Sequence, residues 1–115
     1  MTIMTQMPEV PQISVDQLTD DAVFVDIREP DEWDRGHARG AVHIPMGELP
    51  QRLGELPDVG GTLAISCRSG GRSTRAVTWL LAQGYDVANL TGGMQAWLGA
   101  GKAMESATGR APEVP

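Results

Sequence analysis

Apolar and polar positions along the chain switch repeatedly between two periods. The runs "AVFVDI" (22–27), "TLAIS" (62–66) and "YDVANL" (85–90) are short, apolar and largely β-branched, and predict buried strands. "GAVHIP" (40–45) predicts a briefer strand closed by Pro45. Helical spacing fills the gaps. The clearest helix is 73–83, "STRAVTWLLAQ", where Ala76, Val77, Leu80 and Leu81 share a face and Gly84 stands at the C′ position. Ser14 with Gln17 forms a capping-box pattern for a short helix, and Pro30 with its acidic neighbours suits a helix's first turn. "MGELPQRL" is at most a short helix interrupted by Pro50, and "GGMQAWL" a short closing one. Strands alternating with helices predict βα units around a mostly parallel sheet, an α/β fold.

Composition bounds what such a domain does. The chain has 115 residues, enough for one compact domain, and 41% of them are hydrophobic, too many for a disordered chain. A net charge of −6, with 9 Lys and Arg residues and no basic stripe, argues against partnership with nucleic acid or an anionic membrane. No apolar run reaches spanning length and "MTIMTQMPEVPQ" lacks the layout of a signal peptide, so a cytoplasmic protein is expected. The ends, 1–11 and 102–115, are expected to be flexible, leaving 12–101 as the folded domain. No Cys/His group has metal-binding spacing, and no metal or cofactor is expected.

The single cysteine changes the picture. Cys67 follows a predicted strand directly and opens "CRSGGRS", which runs into the clearest helix. Ligands of open α/β sheets sit beyond the carboxyl ends of strands. Gly70 and Gly71 let the backbone curl so that successive N–H groups point inward, and the helix start adds the positive end of its dipole. Arg68 and Arg72 add charge. Each of these favours thiolate over thiol, so the loop is suited to activate a nucleophile and hold an anion beside it.

"CRSGGRS" resembles the active-site loop of the rhodanese (sulfurtransferase) family. The likeness extends to "VDIREPDEWDRGHARGAVHIP" (25–45) and "GYDVANLTGGMQAW" (84–97), in the family's order. The resemblance implies a three-layer domain with a five-stranded sheet flanked by helices. It implies that Cys67 takes a sulfane sulfur from a small-molecule donor such as thiosulfate, forms a persulfide, and passes the sulfur to cyanide in vitro or a thiol in the cell, including a protein acceptor. Arg68, Ser69, Gly70, Gly71 and Arg72 would form the substrate pocket. Departing from the family's usual isoleucine and proline, Ala38 and Arg39 follow His37, which leaves that loop's conformation open.

Alternatives remain at this point. A partner-binding or sulfur-relay module without enzymatic activity would retain the same fold. Tyrosine-type phosphatases place five residues between cysteine and arginine, whereas Cys67 and Arg72 enclose four, a tighter nest that suits one sulfur atom better than a phosphoryl group. Arsenate-reducing members with similar loops stay open. Asp26, Arg28, His37 and His43 are read as structural, Trp33, Trp79 and Trp97 as packing, and the acidic residues between Asp16 and Asp34 as a solvated face.

Overall fold

The computed structural model describes residues 9–115, so residues 1–8 of the expected lead-in lie outside the described residues. The elements are β1 (Gln12–Ile13), β2 (Phe24–Asp26), α1 (Pro30–Arg35), β3 (His37–Ala38), β4 (Ala41–His43), β5 (Leu63–Ser66), α2 (Gly71–Ala82), β6 (Val87–Leu90), α3 (Gly93–Gly99) and β7 (Met104–Glu105). Three single or double 3-10 turns complete the order, at Val15–Gln17, Met46–Gln51 and Leu53–Glu55. The first is the capped helix expected from Ser14, whose N–H donates to Gln17 Oε1 at 2.8 Å; Leu18 then turns extended and ends it.

Five strands pair in the order β1-β6-β5-β2-β4, and every pairing is parallel. Neighbouring residues on each strand feed opposite faces. Val25, Ile65 and Val87 pack with Ala76, Val77 and Leu80 of α2 and with Leu49 of the second 3-10 segment. Phe24, Ala64 and Leu90 pack with Met94 and Trp97 of α3 on the other side. Two apolar layers sandwich the sheet, which explains why its strands read as continuous apolar runs. The architecture is the three-layer α/β domain implied by the resemblance.

The crossover from β5 through α2 leads to β6, while the path from β2 through α1 leads to β4 on the opposite side. The carboxyl ends of β5 and β2 therefore flank the topological switch point, where α/β sheets open a crevice for ligands. A buried pair shapes the β2 side. Arg28, fully buried, reaches Asp26 through Nε and Nη2 at 3.0 and 2.7 Å and donates from Nη2 to Gly36 O at 2.7 Å. It thereby ties the end of β2 to the far end of α1.

Beyond α3 the chain makes specific contacts. β7 pairs antiparallel with β3, Ala107 N–H donates to Asp34 O, and Glu113 N–H donates to Arg35 O. Val114 packs on the α3 side of the core, and Gly36 leaves no room for a side chain against the Glu113 backbone. Met104 and Val114 are the two residues of this stretch that pack, partly buried, against the core. In the departing segment after His37, Ala38 is buried and Arg39 pairs with Asp21 at 2.9 Å.

Candidate active site

Cys67 is the first residue past β5 and its side chain is 1% exposed. The loop after it turns on Gly70, whose φ of +121° is one that residues with a side chain rarely adopt. Gly71 has no such requirement: it is the first residue of α2, and a Cβ there would meet open space. The turn at Gly70 starts α2 two residues earlier than the apolar period predicts. It also aims the Gly70 and Ser73 N–H groups at Cys67 Sγ, 3.1 and 3.4 Å away, with Ser73 Oγ at 3.2 Å.

The ionisation of Cys67 follows from this cradle. Burial opposes the thiolate, but hydrogen bonds from the Ser73 hydroxyl and from the backbone of Ser73, Gly70 and Ser69 outweigh it, and the thiol pKa is lowered. Ser73 Oγ also donates to Asn89 Oδ1, and Asn89 Nδ2 donates to Gln12 Oε1 at 2.9 Å. A hydroxyl carries one proton, so while Ser73 donates to Asn89 the thiol S–H can donate to Ser73 Oγ, and Ser73 favours the thiolate when its proton turns to the sulfur.

The carbonyls of the loop face the other way. Cys67 O and Arg68 O accept from Met94 N and Gln95 N at the start of α3, at 2.9 and 3.0 Å. This close approach demands Gly93, where φ is +57° and a Cβ would lie 2.5 Å from Cys67 O. The double glycine of "TGG" thus lets α3 dock on the loop and turn its donors inward.

A cavity of about 390 Å³ opens above the sulfur, lined by Cys67, Arg68, Ser69, Gly71, Arg72 and Arg75. Gly70 contributes its N–H from beneath. Glu32 of α1 crosses the switch crevice to hold Arg72 by two bonds, Oε1 to Nη1 at 2.7 Å and Oε2 to Nη2 at 2.8 Å. The hydrogen bond from Arg72 brings the Glu32 carboxyl down to about 2, although burial opposes this, and the partner raises the basicity of Arg72. Glu32 was expected on a solvated acidic face. Instead its side chain is 16% exposed and works inward, because the third position of α1 points at the cysteine loop.

The two histidines take structural places. His37 Nδ1 donates to Trp33 O and His43 Nε2 to Arg28 O, both at 2.7 Å, and both rings stack on Trp33. Neither lines the cavity. Trp97 is buried, with Nε1 bonded to Ala103 O at 3.1 Å, while Trp79 is 37% exposed. Sequence reasoning missed Glu32, Asn89, Gln95 and Arg75. Only Arg75, one helical turn beyond Gly71 in the clearest helix, carried a signal that could have placed it.

The rhodanese-like domain description matches residues 12–100. The chain belongs to the rhodanese family. This rhodanese domain is 44% identical over 80 residues to a sulfurtransferase of Allochromatium vinosum, covering 69% of this chain and 74% of that one. It is 35% identical over 86 residues to thiosulfate sulfurtransferase 16, chloroplastic, of Arabidopsis thaliana, covering 64% and 72% of the two chains. Its fold superposes with a TM-score of 0.73 on a rhodanese-related protein of Thermoplasma volcanium, at 30% identity over 83% of this chain and 97% of the other. The sulfurtransferase relatives support a rhodanese-type sulfur-transfer role. Among the described residues no cluster of His, Cys, Asp and Glu could hold a metal ion, and no helix is long and apolar enough to cross a membrane.

Proposed function

We propose that this rhodanese domain moves a sulfane sulfur from thiosulfate or a persulfide to a thiophilic acceptor through a persulfide on Cys67. The observation that carries this reading is the placement of Sγ among three donors at the floor of an arginine-lined cavity. The Cys67 thiolate attacks the outer sulfur of thiosulfate. The new S–S bond forms as the sulfur–sulfur bond of thiosulfate breaks, and sulfite leaves with the bonding pair. Cyanide or a thiolate then attacks the outer sulfur of the persulfide and regenerates the Cys67 thiolate. Charge is conserved in both steps, and neither needs a proton from a dedicated acid or base.

The inward donors suit each anionic stage. They stabilise the attacking thiolate and then the terminal sulfur of the persulfide, whose added atom occupies the cavity floor. A lone thiolate of this kind suits a reducing compartment such as the cytoplasm. Intact-protein mass spectrometry after incubation with thiosulfate tests the reading. Wild type should gain one sulfur, lose it to cyanide, and Cys67→Ser should gain none. Loading of the Cys67→Ser variant, or no loading of wild type by any sulfane donor, would refute it.

A further inference from the structure

The arginines of the cysteine loop make the cavity look basic, but the charge of Arg72 is already paired and the donors of Arg68 are already hydrogen-bonded. Both terminal nitrogens of Arg72 are occupied by Glu32, which neutralises the pair. Arg68 Nε donates to Pro115 O at 2.8 Å, and the Gln95 amide, with its oxygen turned toward Arg68, accepts from both terminal nitrogens at 3.2 and 3.0 Å. Arg75 is the third cation lining the cavity. Among the described residues it has no carboxylate within 4.0 Å and no hydrogen-bond partner, and its side chain is exposed. It stands one turn into α2, where helical side chains tilt toward the helix N-terminus, and it lines both the cysteine cavity and a neighbouring apolar one with Met46, Pro50 and Trp79.

We infer that Arg75 is the residue that binds the anionic group of the sulfur donor. The inference rests on the sulfur-transfer reading and names the specificity-determining residue within it. With the sulfane sulfur of thiosulfate directed at Cys67 Sγ, the sulfonate end points out of the cavity toward the rim, where Arg75 stands. An arginine without a partner engages that dianion at no cost in broken ion pairs, whereas Arg72 would first have to leave Glu32. Arg72 therefore shapes the cavity wall and Arg75 reads charge.

The test uses full-length wild type, Arg75→Gln and Arg75→Lys. Arg75→Gln should raise the KM for thiosulfate roughly five- to tenfold with kcat within about twofold, the pattern of lost binding rather than lost chemistry. Arg75→Lys should restore most of it, and loading from an uncharged dialkyl trisulfide, where the thiolate released by the first attack removes the remaining alkylthio group as a disulfide and leaves the Cys67 persulfide, should be equal in all three. A KM within about twofold of wild type in Arg75→Gln, or an equal loss with the trisulfide, would overturn the inference. A second readout needs no turnover: protection of Cys67 by sulfite against iodoacetamide should weaken in Arg75→Gln. If wild type accepts no sulfur yet this protection still depends on Arg75, the sulfur-transfer reading fails and the anion site stands. Equal protection in both proteins would sink the anion site.

Discussion

Replacing Glu32 by Gln should separate the architecture of the site from its chemistry. Gln keeps the shape of the side chain and removes its charge, leaving Arg72 with one weak acceptor in place of two charged bonds at 2.7 and 2.8 Å. The carboxyl titrates at about 2 instead of its ordinary 4.5, chiefly because Arg72 donates to it, which corresponds to an upper bound of about 3 kcal/mol at ~1.4 kcal/mol per pH unit. The side chains are 16% and 29% exposed, so solvent screening reduces this to about 2 kcal/mol. The folded-state pKa is depressed, so the contribution is fully present above 4.5 and disappears as pH falls toward 2. Urea titrations of wild type and Glu32→Gln should differ by about 2 kcal/mol at pH 7, roughly 8 °C in Tm, and by under about 1 kcal/mol at pH 3. A gap that is the same at both pH values would show that the lost stability does not come from the ion pair.

Two further expectations concern the loop. Gly93→Ala combines a left-handed backbone with a Cβ 2.5 Å from Cys67 O, and should cost about 3 kcal/mol or more in urea unfolding, whereas Gly71→Ala, facing open space, should stay within about 1 kcal/mol of wild type. Equal effects would refute the assigned backbone geometry. Ser73→Ala removes the hydroxyl that favours the thiolate, so the pH midpoint of iodoacetamide alkylation at Cys67 should rise relative to wild type. An unchanged midpoint would leave the backbone donors as the whole cause of the lowered pKa.

Much of this was legible from local pattern. Buried strands announce themselves because a sheet covered on both faces has no polar face to alternate with, and "VFVDI" and "TLAIS" show this in β2 and β5. The place of Cys67 between a strand and a helix also followed from sequence. What sequence order concealed were partners distant along the chain. Glu32 and Arg72 are 40 residues apart, and nothing in "EPDEW" distinguishes the acid that turns inward from those in water. Asn89 reads as one polar residue in a strand, and its bond to Ser73 exists only because β6 lies beside β5. The two loop glycines look alike in sequence, yet only Gly70 adopts the positive φ that glycine alone takes readily. In 102–115 the average composition is small and polar and does not mark the individual positions Met104 and Val114, which pack against the core.

The docking of α3 on the cysteine loop makes two backbone amides into clocks for the site. Met94 N–H and Gln95 N–H are bonded to Cys67 O and Arg68 O, so solvent deuterium reaches these bonded hydrogens only when the loop and the start of α3 part. Their exchange rates therefore count how often the cradle around the sulfur comes undone. A persulfide or bound anion that tightens the cradle would slow both amides together, at positions that touch neither the sulfur nor the donor.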